Sequence, residues 1–348
     1  MIKSSLHPLL RTVRLHPIRT AGATIIATGM ALTTAGCTTG NQDPAPAISQ
    51  REAEQADTAA PDSGDKLNIV TSTQIWADVA EMVVSDQDAD IHAIIVGDSV
   101  DPHSFEPTAS DIAMAKNADI IIVGGGGYDS WLYRSLNESV IINALPLTVH
   151  DHDHGHETGD DHDHGHSHDH DHGHDHDDLV NEHIWYNPEA VSKVGADLAE
   201  RVSTLRSDAK VDTTKLNSNL KTITDELKSL PAVRVAQTEP IADYILQNSP
   251  ATDATPEGYR TATLKESEPS AADYAAFTEA LENGEIDVLV FNPQTATDAT
   301  ERLRDEAEDR GIPVVEIFET PSRNENFFDF FRGAVERLNS GAQQAKKN

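Results

Sequence analysis

From residue 150 to 178 the chain reads HDHDHGHETGDDHDHGHSHDHDHGHDHDD. His150, His152, His154, His156, His162, His164, His166, His168, His170, His172, His174 and His176 alternate mostly with aspartate. Neutral imidazole is a good ligand for zinc, nickel and copper, and carboxylate neutralises the bound dication. The tract offers almost nothing apolar to bury, so a disordered loop is expected, serving as an auxiliary metal collector. An acidic solubilising loop would need only the aspartates. Two isolated histidines call for separate attention. His103 lies in DPHSFEP and His183 in EHIWYNP, both Pro-stiffened turns that can hold an imidazole in place.

The remainder of the 348 residues must position these groups. Residues 1–36 read as a signal peptide: Lys3, Arg11, Arg14 and Arg19 form a basic region, and AGATIIATGMALTTAG is too short to span a bilayer. TTAGC then ends on Cys37, the sole cysteine, and resembles the lipobox of bacterial lipoproteins, with Thr34 where leucine is usual. Cys37 is therefore the expected lipidation site, and no disulfide can form within the chain. Residues 37–65 are polar and rich in Pro, Ala and acid, as in a flexible tether. No later segment is long and apolar enough to cross a membrane, so lipid alone is expected to hold the protein, outside the cytoplasm. A net charge of −33 argues against nucleic acid as a partner.

From Lys66 onward, apolar runs of strand length alternate with stretches of helical periodicity. KLNIVTS, ADIHAIIVG, DIIIVGGGG and SVIINAL are predicted strands; TQIWADVAEMVV, TASDIAMAKNA and YDSWLYRSL are predicted helices between them. The glycines of VGGGGYDSW lack a following Gly-Lys-Ser/Thr, so they suit a sharp strand-to-helix turn rather than a phosphate loop. Residues 189–230 hold neither glycine nor proline after Gly195 and predict one long rigid helix, or two broken near Ser207 to Thr213. Beyond Pro231, AVRVAQ, YRTATL, IDVLVFN and IPVVEIF are predicted strands, interleaved with helices. Strands apolar on both faces imply parallel sheets. The expected architecture is α/β: two Rossmann-like lobes, 66–188 (including the histidine tract) and 231–348, joined through 189–230.

Ligands of open α/β sheets sit beyond the carboxyl ends of strands. His103 follows the second predicted strand, Glu239 ends the first strand of the second half, and Gln294, Thr295 and Asp298 follow a later one. DPHSFEPTASD, GGGGYDSWL and EHIWYNP together resemble motifs of the zinc/manganese-binding solute-binding lipoproteins of metal ABC transporters, over roughly Leu67 to Leu338. The resemblance implies two α/β lobes with a metal between them, and His103, His183 and Glu239 as ligands. A glutamate at 239 is more typical of manganese-type members, whereas a His/Asp-rich loop accompanies zinc-specific ones. The fourth ligand falls in NPQTATD, where Asp298, Gln294 or a water could complete the shell. The implied function is capture of Zn²⁺, with Mn²⁺ the alternative, by a monomer that does no chemistry and delivers the ion to an ABC permease and its ATPase. Rival readings are a zinc hydrolase, with Glu106 as conceivable base, and a metal-storage or adhesion lipoprotein.

Overall fold

The computed structural model describes residues 66–100, 102–148 and 180–347. The signal region, Cys37, the tether and the histidine tract lie outside the described residues.

The first sheet comprises β1 (Leu67–Thr73), β2 (Ala89–Ile95), β3 (Ile120–Val123) and β4 (Ile141–Asn143). The second comprises β5 (Arg234–Gln237), β6 (Thr252–Asp253), β7 (Val288–Phe291) and β8 (Val314–Glu316). All pairings are parallel, in the orders β2-β1-β3-β4 and β6-β5-β7-β8. β3 and β7 are buried along their whole length, as strands covered on both faces must be. In each sheet the second strand joins one side of the first and the third joins the other. This leaves a crevice at the carboxyl ends of β1/β3 and of β5/β7.

Helices α1 (Gln74–Val83), α2 (Ala109–Lys116) and α3 (Ser130–Tyr133) accompany the first sheet. α2 starts on a reciprocal capping box between Thr108 and Asp111. The glycine run turns β3 sharply: Gly125 and Gly126 have φ of +83° and +61°, and a Cβ on Gly125 would meet the Leu145 carbonyl oxygen at 2.1 Å. Asp129 accepts hydrogen bonds from the amides of Gly124 and Gly125 and so fixes that turn.

The connecting segment is not one helix; it takes the broken form, as α4 (Pro188–Leu205) and α5 (Thr214–Lys228). The break is specified by side chains and by the chain after α1. Lys210 N–H donates to Asp88, Asp212 N–H to the Val83 carbonyl, and Val211 bridges Val84 in antiparallel fashion. Arg206 leaves the helix extended and approaches Asp88.

Helices α6 (Asp243–Gln247), α7 (Glu257–Leu264), α8 (Ala271–Glu282), α9 (Asp298–Asp309) and α10 (Phe327–Ala345) complete the second half. Here the expectation for YRTATL fails. These residues are helical in α7, where Tyr259 is fully buried against Phe277 and the Thr263 hydroxyl bonds back to the Tyr259 carbonyl. The strand beside β5 is instead the two-residue β6.

The two halves share one apolar cluster. α10 packs against β8, α5 and α1, burying Phe327, Phe330 and Phe331. Each such side chain contributes about 1.5–3 kcal/mol. Tyr186 stacks on Phe330 with centroids 5.8 Å apart, and Asp78 of α1 accepts a 2.6 Å hydrogen bond from the Phe327 amide at the start of α10. The halves are thus braced by α10 as well as by the connecting helices.

Candidate metal centre

His103, His183, Glu239 and Glu319 each present one ligand atom to a common point, all within 4.8 Å of one another. His103 Nε2 lies 3.5 Å from Glu239 Oε1 and 3.4 Å from Glu319 Oε2, and His183 Nε2 lies 3.4 Å from Glu239 Oε1. A tetrahedron with bonds of about 2.1 Å has edges of about 3.4 Å, so these separations fit one four-coordinate ion. Two neutral imidazoles and two carboxylates also cancel the charge of a dication.

Each of the four side chains is held differently. His103 sits in the loop after β2, its ring edge-on to Tyr128 at 5.0 Å, with 23 % of its side chain accessible. His183 is 3 % exposed and precedes the short turn Ile184–Tyr186 that opens α4. Its Nδ1 lies 2.8 Å from Asn181 Oδ1. The Asn181 amide nitrogen donates to the Pro240 carbonyl and to Asp243, so its oxygen must face the ring. Nδ1 therefore carries the proton and Nε2 presents its lone pair. That Nε2 is buried and makes no hydrogen bond among the described residues, as expected of an atom placed for a cation. Asp243 is itself fixed by a two-pronged ion pair with Arg260.

Glu239 follows β5 and Glu319 follows β8. Glu239 Oε2 accepts from Asn292 Nδ2 at 2.6 Å and from the Thr295 hydroxyl. Glu319 Oε1 accepts from Asn292 Nδ2 at 2.9 Å, and its Oε2 from the Tyr128 hydroxyl at 3.1 Å. Burial alone would lower the pKa of His103, but the carboxylates of Glu239 and Glu319 prevail and raise it well above the usual imidazole value. Burial alone would raise Glu239, yet the two imidazoles beside it hold it well below the usual carboxylate range. Without a cation the site holds a proton that a metal must displace.

A cavity of ≈ 20 Å³ adjoins the ligands, between Val180, Glu182, Pro240 and Glu266. It has room for about one water or ion, not an organic substrate. Glu182 and Glu266 also approach His103 within 4.8 Å; burial, with Glu266 beside it, pushes the Glu182 carboxyl up to about 8, so Glu182 adds little charge to the rim at neutral pH.

Three of the four residues singled out in sequence thus converge. Asp298 does not: it is exposed in the first turn of α9, where its charge complements the helix N-terminus. Gln294 is also outside the ligand group; its side chain accepts from the Glu319 amide and donates to Thr320 and the Asp98 carbonyl. Glu319 takes the fourth position. An acid beyond the carboxyl end of the last parallel strand was the available signal.

Residues 69–341 match the family described as ZnuA, zinc-uptake complex component A, periplasmic; the chain belongs to this family. It is 33% identical over 104 residues to the manganese-binding lipoprotein MntA of Halalkalibacterium halodurans, which covers 27% of this chain and 34% of that protein. It is 32% identical over 75 residues to the high-affinity zinc uptake system protein ZnuA of Bacillus subtilis (strain 168), covering 21% of this chain and 23% of that one. The matched stretches thus span about a third or less of these relatives. Its fold is that of the periplasmic zinc-binding protein TroA from Treponema pallidum, with a TM-score of 0.56 at 16% identity over 80% of this chain and 99% of that one.

Proposed function

We propose that the chain captures Zn²⁺ outside the cytoplasm and delivers it to an ABC permease and its ATPase. The observation that carries this reading is the convergence of two imidazole nitrogens and two carboxylate oxygens within 4.8 Å of one another, with three of the separations at the edge length of a zinc tetrahedron. His103, His183, Glu239 and Glu319 would be the ligands, with the ion as cargo. Membership of a family named for zinc uptake supports the transport role, and the tract at 150–178 supports zinc over a harder ion. Mn²⁺ is the second reading, favoured by the similarity to a manganese-binding lipoprotein and by the two carboxylates. In this reading Cys37 carries the lipid anchor and the protein acts as a monomer. Against a hydrolase, four protein ligands leave no open position for an activated water, and Glu106 is exposed outside the ligand group. Metal analysis of the purified protein, followed by competitive titration with Zn²⁺ and Mn²⁺, tests the reading. Bound zinc and tighter Zn²⁺ binding are expected; tighter Mn²⁺ binding would overturn zinc as the cargo.

A further inference from the structure

We infer that Asn292 limits both carboxylates to one metal-facing oxygen each, and thereby sets the centre's coordination number and its choice between cations. The inference rests on the proposed ligand set. A glutamate can bind a metal through one oxygen or through both, and each second oxygen raises the coordination number. Four-coordination suits Zn²⁺, whereas Mn²⁺ accepts a larger, oxygen-rich shell.

The Asn292 side chain stands just beyond β7, on the crevice between β5 and β7, and the residue is 1 % exposed. Its Oδ1 accepts from the Gln294 amide at 3.0 Å, which fixes the orientation of the side-chain amide. The NH₂ group must then face the site, and its two hydrogens serve two different carboxylates: Glu239 Oε2 at 2.6 Å and Glu319 Oε1 at 2.9 Å. The oxygens left for a metal are Glu239 Oε1 and Glu319 Oε2, the same two that face the imidazoles. Thr295 adds a second donor on Glu239 Oε2, and Tyr128 donates to Glu319 Oε2, the oxygen that Asn292 does not bond. One neutral side chain thus ties together two anions that would otherwise repel, and leaves one oxygen of each facing the imidazoles. Asn292 is a positioning residue: it touches the ligands, not the cargo. Without its NH₂, either carboxylate can rotate to offer both oxygens, and five- or six-coordination becomes accessible.

The test uses the full chain, with Co²⁺ added below one equivalent so that the tighter centre fills before the histidine tract. Four-coordinate Co²⁺ absorbs visible light far more strongly than five- or six-coordinate Co²⁺, so its spectrum reads coordination number directly. The same proteins are titrated with Zn²⁺ and Mn²⁺. In Asn292→Ala the cobalt absorption should weaken, and the Zn²⁺-to-Mn²⁺ affinity ratio should fall by about 10-fold or more, the size of effect seen when ligand-orienting partners are lost. Thr295→Val, which loosens Glu239 alone and keeps the side chain's shape, should move both readouts the same way by a smaller factor. It carries the test should Asn292→Ala fail to fold. An unchanged cobalt spectrum and an unchanged ratio, even with both affinities reduced together, overturn the inference. The two readings fail separately. A wild-type protein with strong cobalt absorption that prefers Mn²⁺ refutes zinc as cargo and leaves standing only the clamp's control of coordination number; weak wild-type absorption refutes the clamp whichever metal binds more tightly.

Discussion

The loops beyond the first sheet bring imidazole nitrogen to the centre, through His103 and His183, while those beyond the second bring carboxylate oxygen, through Glu239 and Glu319. The carboxylate side is the more firmly built. Its carboxylates are locked by Asn292 and Thr295, Gln294 holds the Glu319 backbone amide, and the Glu319 side chain has no accessible surface. Even His183 is oriented from that side, since Asn181 is anchored by Pro240 and Asp243. His103 is the most accessible of the four, at 23 % against 0, 4 and 17 %. The difference assigns different tasks. The carboxylates are held by their own hydrogen bonds with no ion present, and His103 stands on the solvent side of them. Neither half alone supplies more than two of the four groups, so all four converge only when both halves are in place.

The comparison breaks most severely if the carboxylate side is altered. Glu319→Gln keeps the shape of the side chain but removes one of the two charges that neutralise the dication. Zn²⁺ affinity should fall by more than about 100-fold, beyond the range for losing a residue that only orients a ligand. Asp298→Asn should change it less than about twofold, because the charge it removes is exposed and well solvated. Competition against a chelator of known affinity measures both. A large loss from Asp298→Asn with little from Glu319→Gln would reverse the assignment of the fourth ligand.

A smaller effect sharpens the comparison through pH. The raised pKa of His103 means that binding displaces a proton, so Zn²⁺ affinity should keep rising with pH above the ordinary imidazole value of about 6.5. For the metal-free protein the signs run in opposite directions. His103 has a raised folded pKa, so its contribution to stability is full below about 6.5 and is lost as pH rises through the raised value. Glu239 has a depressed one, so its contribution is present above its unfolded value near 4.5 and is lost as pH falls through the depressed value. The apo protein therefore draws most from this pair between about pH 4.5 and 6.5, and the gain in melting temperature on adding Zn²⁺ should widen above that window. Calorimetry in buffers of different ionisation enthalpy counts the released protons; Glu239→Gln should reduce the number. No proton release at pH 7 would contradict the pairing of His103 with the carboxylates.

The two sides also differed in how far the sequence exposed them. His103 and His183 stood out because proline-bounded turns and neighbouring motifs marked them, and Glu239 because it closes a predicted strand. Glu319 lies in VVEIFETPS, where an acid after an apolar run reads as the end of a strand, and only the parallel topology shows that the run points into the crevice. Asn292 is an ordinary amide in sequence; its role depends on two carboxylates 53 and 27 residues away. Most strands and helices followed from periodicity. YRTATL misled because its threonines and tyrosine favour strands locally, while burial of Tyr259 beneath α8 favoured a helix. The break between α4 and α5 depended on Asp88 and Val83, distant partners that periodicity within 189–230 does not reveal.

The smallest expected change at the centre comes from excising residues 150–178, which removes the twelve imidazoles of the tract and none of the four groups at the centre. The four ligand residues and the groups orienting them all lie in other segments, so the tight site should retain its Zn²⁺ affinity within about threefold, well below the effect of losing an orienting partner. What should disappear is a set of weaker equivalents, because the histidines and aspartates of the tract offer further imidazole and carboxylate ligands. Those equivalents should be stronger near pH 7 than near pH 5.5, where imidazoles of pKa about 6.5 are mostly protonated. Uptake should then suffer mainly when zinc is scarce and a raised local concentration matters most. Titration calorimetry on both forms at the two pH values separates the classes of site. Loss of the tight class on excision would mean that the tract supplies a ligand of the centre, and that the convergence of His103, His183, Glu239 and Glu319 is not sufficient for tight binding.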